Sequence, residues 1–248
     1  MDLGYATRFY RRARSSALSD GTLGLIALAA LPDDPRATVA VAVEGDRWRV
    51  GVSGYGAGRP TAFEEDFVAR CASSGVKPLD DLLRDGGPLS EVAVHRMPAS
   101  ARGDYDAMAS FPAGLLVAGD AVASSNPVYA QGMTCAALHG RAVRDHLDAR
   151  DRAPSAYLAR VRRVADRAWV PAVSGDLRLT ATTGTRPPGA GLRHKVGNAH
   201  SRAVRVSREA RWRFRQVAAM DHPATALVRP SALYHLLRAS LAVQAGRA

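Results

Sequence analysis

The residues of this chain best suited to chemistry lie between Gly114 and Met133. An apolar run, Gly114-Leu-Leu-Val-Ala, leads into Gly119-Asp120. A polar loop continues through Pro127, and Gln131-Gly132-Met133 opens a helical pattern. The run predicts a short buried strand ending at Gly119-Asp120. A carboxylate at the carboxyl end of a strand accepts hydrogen bonds from hydroxyls. A helix start offers backbone N–H groups without intrahelical partners and the positive end of the helix dipole. Together these groups could hold a ligand that joins a polyol to an electron-rich ring. Gly119 would let the backbone approach that ligand with no Cβ in the way.

The arrangement resembles the second flavin motif of the FAD-dependent aromatic hydroxylases and their relatives, the geranylgeranyl reductase and epoxidase branches. That family has a hydrophobic strand, Gly-Asp-Ala, a spacer, Pro, and Gly-Gln-Gly-Met. This chain has Gly119-Asp120-Ala121, Pro127 and Ala130-Gln131-Gly132-Met133, so Ala130 replaces the first glycine of the turn. The resemblance implies FAD as cofactor, bound by Gly119, Asp120, Pro127, Gln131, Gly132 and Met133. Asp120 would accept from flavin hydroxyls, and Pro127 would fix the loop against the ring. The amides of residues 131–133 would face the pyrimidine edge, where negative charge settles on reduction. It also implies NAD(P)H as reductant and a monooxygenase acting on a small organic, aromatic or polyketide-like substrate. Two other readings stay open: a geranylgeranyl-reductase-type enzyme, and a degenerate flavin fold kept as a docking module. Chemistry carried by a flavin requires no acid–base dyad, and no catalytic side chain is assigned.

Flavoproteins of this kind also carry a strand, a Gly-x-Gly-x-x-Gly turn and a helix to hold the pyrophosphate. These 248 residues contain no such sequence. The nearest approach, Gly54-Tyr-Gly-Ala-Gly58, is followed by Arg59 and Pro60 where a glycine and a helix should stand. It is expected to be a loop after a strand. The expectation is therefore the C-terminal portion of a flavoenzyme, inactive without its glycine-rich unit.

Composition narrows the classes. No apolar run reaches the roughly 18 residues of a membrane helix. Cys71 and Cys135 are too few for a disulfide framework, and no Cys/His cluster has zinc spacing, so a cytoplasmic setting is expected. Arg11-Arg12 ahead of the apolar residues 23–30 imitates a twin-arginine signal, but Ser19-Asp20-Gly21-Thr22 interrupts it, and two strands joined by a turn are expected instead. The net charge of +11 is confined to the C-terminal part: residues 1–150 carry 16 basic and 18 acidic groups, residues 151–248 carry 18 and 5. All but Lys77 and Lys195 of the 34 basic residues are arginine, a pattern that suits biased codon usage. No aromatic stripe accompanies them, so no nucleic-acid partner is expected. The basic region could still meet an acidic partner or an anionic membrane.

The elements that must position these groups follow from periodicity. Alternation predicts strands over residues 3–10, 23–30, 37–44, 47–53, 91–97 and 102–111, with a hairpin at Gly45-Asp46. Thr61 is expected to cap a helix over 62–73 whose buried positions are Phe63, Phe67, Val68 and Cys71. Residues 80–84 suggest a helical turn, with Asp80 and Asp81 as its solvated start. After Met133 a helix should run to 149 with Ala137, Leu138, Val143 and Leu147 inward. A break at 151–154, a helix over 155–170, a linker at 186–191 and helices over 199–219 and 231–245 complete the chain. Leu233, Leu236, Leu237 and Leu241 share one side of the last helix, with Arg238 nearby. His95, Arg96 and Tyr105 lie on strands that could face substrate. His139 and His146 are read as packing or surface residues.

The fold class predicted is α+β: an antiparallel substrate-covering sheet over 1–110, the C-terminal strand–helix part of a Rossmann-like FAD domain over 111–150, and a helical tail over 151–248.

Overall fold

The computed structural model describes residues 1–12, 21–28, 35–150, 153–180, 182–186 and 189–244. The expected strand residues 29–30, the interrupting Ser19-Asp20, residues 151–152 of the break, Pro187 and Pro188 of the linker, residue 245 and the side chain of Leu241 lie outside the described residues. The fold is α+β, and its chain divides into two compact units. One comprises Met1–Ala99 with Arg178–Thr183, the other Ser100–Leu177 with Gly184–Ala248.

The first unit is an antiparallel sheet in the order β2-β3-β4-β1-β5, formed by β1 (Leu3–Arg11), β2 (Gly24–Leu28), β3 (Ala37–Val43), β4 (Arg47–Tyr55) and β5 (Ala93–Met97). The β3–β4 hairpin turns where the sequence predicts. Gly45 and Asp46 both take positive φ (75° and 49°), the conformation whose twist matches the flanking strands. Register sets Ala6 opposite Val52, Arg8 opposite Val50 and Tyr10 opposite Trp48. All six side chains are buried. Helices α1 (Glu64–Ala72) and α2 (Lys77–Gly86) supply Phe67, Cys71, Leu79 and Leu82 to the same core. Arg8 is tolerated there because its guanidinium donates to the Ser90 carbonyl and pairs with Glu64 at 2.8 Å.

Two local expectations for this unit are corrected. Thr61 does not cap α1: the N-cap position is Phe63, and the Thr61 amide and hydroxyl donate instead to Asp66. Phe63 and Val68 are exposed, because only the Phe67–Cys71 ridge of so short a helix reaches the sheet. The glycine-rich residues after Gly54 form the expected loop at the end of β4. Its Gly56 and Arg59 amides are bonded to the carbonyls of Asp2 and Gly56, and Arg70 takes the carbonyls of Gly58 and Arg59.

The second unit contains the two-residue strands β6 (Ala101–Arg102) and β7 (Ala123–Ser124), then α3 (Gly132–Leu147), α4 (Pro154–Asp176), α5 (Ala190–Val206), α6 (Arg208–Ala218) and α7 (Pro230–Gln244). Its main core joins Val122, Ala142, Tyr157, Leu158, Val161 and Ala165, with Phe111, Leu116 and Val117 packed against it. The strand expected over 102–111 shrinks to β6, since the chain turns at Tyr105–Ala107. The helix expected over 199–219 breaks at Ser207, whose hydroxyl caps α6 through the Ala210 amide. On α3 the buried side chains are Cys135, His139 and Ala142. Ala137 and Leu147 face solvent, so the inward stripe is displaced from the one expected.

Candidate functional site

The segment that leads to Gly119 is extended, but it is not the buried strand its composition predicts. No described strand pairs with residues 114–118, and Leu115 is exposed. Without a ladder its carbonyls find other donors: the Tyr157 hydroxyl donates to the Val117 carbonyl at 2.7 Å. Leu116 and Val117 pack on the helical core, so the segment is fixed by side chains rather than by a sheet.

Gly119 then takes φ +59°, a left-handed conformation that glycine adopts without steric cost, and begins a short 3-10 turn through Ala121. Its amide donates to His139 Nδ1 at 2.9 Å, while His139 Nε2 lies 3.0 Å from the Val161 carbonyl. A carbonyl can only accept and an amide can only donate, so the ring is the neutral tautomer carrying its proton on Nε2. Burial holds its pKa below the ordinary histidine value, against the opposing effect of the Val161 hydrogen bond. His139 thus ties the Gly119-Asp120 turn on one side to α4 on the other.

A second clamp holds the Pro127 loop. Asn126 is buried; its Oδ1 accepts from the Val128 amide, and its Nδ2 donates to Asp176 Oδ1 at 2.7 Å. The Tyr129 hydroxyl donates to the same oxygen at 3.2 Å. Burial pushes the Asp176 carboxyl upward, opposed by these two hydrogen bonds. Gly175 makes room for the arrangement, since a Cβ there would collide with the Tyr129 hydroxyl and lie 3.1 Å from Cζ. Ala130 follows at φ +55°. That left-handed geometry is the physical reason for a glycine at this place in the resembled pattern, and this chain adopts it with a Cβ present.

Gln131 is the N-cap of α3, and the first bond of the helix runs from the Cys135 amide to the Gln131 carbonyl. No side chain caps this start and no acidic residue stands in its first turn. The Gln131 side chain is engaged elsewhere, donating to the Ala218 carbonyl at 3.1 Å. Met133, which could have been a core residue, has 87% of its surface exposed. Pro127 and Gly132 are exposed as well, and so is Asp120. A Cβ built on Gly132 would lie 3.9 Å from Asp120 Oδ1, so the carboxylate stands beside the helix start. The Ser124 hydroxyl approaches Asp120 Oδ2 at 3.4 Å. The six sequence-predicted residues therefore lie around one short loop: Gly119 and Asp120 at one end, Pro127 in the middle, and Gln131, Gly132 and Met133 at the other.

Such a site presents a carboxylate acceptor next to uncapped amides. It fits a neutral polyol on Asp120 and a ring that gains electron density against α3. The chemistry of this donor set fits a flavin.

Sequence reasoning missed the residues that hold the loop from behind. From sequence His139 reads as a packing or surface residue, and Asp176 and Gly175 carry no mark. Asp176 lies 50 positions from Asn126, so no local spacing could join them.

Of the strand residues considered for substrate, Arg96 is paired with Asp2 at 2.9 Å, and Tyr105 donates to the Ala121 carbonyl. His95 stacks on Tyr5 with ring centroids 5.3 Å apart. These two rings, with Thr7, Phe9, Arg49 and Glu91, line a concavity of about 510 Å³ in the first unit. It lies on the face of the sheet away from the buried partners of α1 and α2. Among the described residues no group of His, Cys, Asp and Glu is placed to hold a metal, and no helix is long and apolar enough to cross a membrane.

Solved structures of flavin-dependent proteins share this fold. A triple mutant of the flavin-dependent brominase Bmp2 matches 96% of this chain and 56% of its own, with 12% identity and a TM-score of 0.57. A flavoprotein/dehydrogenase from Cytophaga hutchinsonii matches 100% and 56%, with 13% identity and a TM-score of 0.56. The flavin-dependent halogenase CmlS matches 82% and 40%, with 14% identity and a TM-score of 0.54. At such identities the likeness is one of fold. Among curated proteins, Protein Rv3254 of Mycobacterium tuberculosis is 42% identical over 77 residues, covering 31% of this chain and 16% of that protein. No family model matches. The chain thus spans about half the length of the first two structures, and a smaller part of the curated relative.

Proposed function

We propose that this chain forms the flavin-ring side of an FAD-dependent oxidoreductase of the monooxygenase type. The observation that carries this reading is the exposed Asp120 carboxylate beside the uncapped start of α3, in a loop clamped at His139 and Asp176. FAD would supply the redox chemistry, with NAD(P)H as its reductant. Asp120 would accept hydrogen bonds from its hydroxyls, and the amides of Gly132 and Met133 would favour the electron-rich edge of its ring. Gly119 would admit the cofactor to the backbone, and Pro127 would set the loop beside it. Gln131 acts through its backbone, because its side chain is held by Ala218. The pyrophosphate needs a glycine-rich βαβ cradle, which these residues lack; the reading assigns that role to a separate segment or partner. A small organic substrate is placed on the sheet concavity, where the Tyr5–His95 stack offers a flat apolar wall and Arg49 a charge.

An FAD titration followed by flavin fluorescence tests this. Saturable binding that weakens about tenfold or more in Asp120→Ala supports the reading, that being the range for a charge-assisted hydrogen bond. Binding that ignores this substitution removes the flavin site from this loop; where the chain alone does not bind, the titration is repeated with a glycine-rich βαβ unit supplied, and indifference to Asp120→Ala there removes it.

A second reading, halide oxidation, is favoured by the likeness to a brominase and a halogenase. Product analysis separates the two: oxygen from O₂ in the product marks a hydroxylase, a carbon–halogen bond a halogenase.

A further inference from the structure

The concavity on the open face of the first unit's sheet has two ends of different chemistry. Phe9, Thr7 and Tyr5 follow one another along that face of β1, spaced by about 7 Å. At one end the Tyr5 and His95 rings stack. In the middle the side chains are small, since Thr7 stands opposite Gly51 on β4 and Ala93 on β5. At the other end Phe9 is paired in register with Arg49, and Glu91 lines the same space. The volume of about 510 Å³ lies within the roughly 300–1,000 Å³ of small-molecule sites.

The charges at the Phe9 end are open. Among the described residues no hydrogen bond or ion pair engages the side chain of Arg49 or of Glu91, and none joins the two. Their polar neighbours are already committed. The Arg47 guanidinium lies 5.3 Å from the Phe9 ring centroid and donates to the Glu44 carbonyl. The Ser90 hydroxyl accepts from the Phe9 amide and donates to the Glu91 carbonyl. A ligand with only an acid group would bring its charge against Glu91 as well as Arg49, and a ligand with only an amine would do the reverse. A head group that carries both charges satisfies both side chains. The small middle leaves a flat floor for a ring, and the Tyr5–His95 pair offers aromatic contact beyond it.

We propose that this concavity binds an aromatic α-amino acid. Its carboxylate would meet Arg49, its ammonium Glu91, and its ring would lie over Thr7 and Ala93 toward the Tyr5–His95 stack. Such an amino acid is the substrate under the reading above, which places the substrate on this face.

Isothermal titration calorimetry of the chain without FAD, using four indoles, tests the assignment. L-Tryptophan carries both charges, indole-3-propionate only the carboxylate, tryptamine only the ammonium, and indole neither. L-Tryptophan should bind most tightly. Arg49→Gln should weaken L-tryptophan and indole-3-propionate about fivefold or more, without weakening tryptamine. Glu91→Gln should weaken L-tryptophan and tryptamine to a like degree, without weakening indole-3-propionate. His95→Ala should weaken all four. The three positions are exposed, and unfolding curves that match the natural protein show that each variant is folded. No binding of L-tryptophan, binding no tighter than that of indole, or a loss that does not follow the matching charge overturns the proposal. No flavin takes part, so the two failures are separable. An Asp120-dependent FAD site without L-tryptophan binding removes the substrate class alone, whereas charge-matched L-tryptophan binding without such a site removes the flavin reading and keeps the amino-acid site.

Discussion

Replacing His139 by leucine tests whether the Gly119-Asp120 turn is held from behind. Leucine fills most of the imidazole's space but offers no acceptor to the Gly119 amide, now 2.9 Å from Nδ1. An amide left without a partner in a half-buried place costs about 1–3 kcal/mol. The Val161 carbonyl loses less, because it lies inside α4 and has a helical donor as well. The expected cost in urea unfolding is therefore about 1–3 kcal/mol, and the Gly119 amide should lose hydrogen-exchange protection in proportion. Protonation of the natural ring should act alike, since a proton on Nδ1 would face the Gly119 N–H. Burial depresses the pKa of His139 in the folded state, so the unfolded chain binds the proton first. The stability is present above the unfolded value of about 6.5 and is lost as pH falls from there toward the folded value, by at most ~1.4 kcal/mol per pH unit. Buried His200 has the same sign, so His139→Leu should remove part of the acid slope and leave the rest. A loss under ~0.5 kcal/mol with unchanged Gly119 exchange would refute the reasoning, since that is the scatter of an ordinary surface substitution.

Gly175→Ala would drive a methyl into the Tyr129 hydroxyl. It should destabilise by about 1–3 kcal/mol in the same unfolding assay. Asp176→Asn keeps an oxygen for Asn126 and Tyr129 and removes a carboxyl whose folded pKa burial raises. A raised folded pKa adds stability below the unfolded value near 3.9 and loses it as pH rises through the folded one. The variant should therefore match or exceed the natural protein at pH 7, and the difference should shrink as pH falls. Ala130→Gly relieves the left-handed strain at φ +55° against the entropy of a freer unfolded chain. A net gain of up to about 1 kcal/mol is expected in unfolding midpoint measurements.

How much was legible depends on whether a residue's partner is close in sequence. The sheet of the first unit was readable because alternation along β1, β3 and β4 records one buried and one open face, and Gly45-Asp46 marks the hairpin. The start of α3 was readable because the apolar–polar period changes at Gly132. The segment before Gly119 was not, since an apolar run records only that a partner surface exists. Here the partner is the helical core at Tyr157 and Leu158, and no strand lies beside it among the described residues. Phe63 and Val68 show the same limit: helical spacing gives a stripe, and only the sheet decides how much of that stripe is covered. The break at Ser207 carried a local signal, a serine followed two residues later by Glu209, but arginines on both sides kept the helical pattern running through it.

The two clamps pose one remaining question, whether the loop from Gly119 to Ala130 moves as a single body. His139 secures its first residue and Asp176 secures Asn126 and Tyr129, and both anchors bear on α4, at Val161 and at its C-terminal end. Between them the short 3-10 turns at Gly119–Ala121 and Pro127–Tyr129, the β7 pairing, buried Val122 and the Tyr105 hydroxyl on the Ala121 carbonyl keep order. A rigid loop released at one end would already have lost the benefit of the other anchor, so the two losses would overlap. Two independent hinges would give losses that add. A double-mutant cycle of His139→Leu and Asn126→Ala decides it, because separated sites sum to within about 0.3–0.5 kcal/mol and coupled ones depart by 0.5–3. Coupling above that limit is the expected result. It would mean that Asp120 and the α3 amides keep a fixed spacing because α4 holds both ends of the loop. Additivity would refute this, leaving Asp120 to be placed by His139 alone.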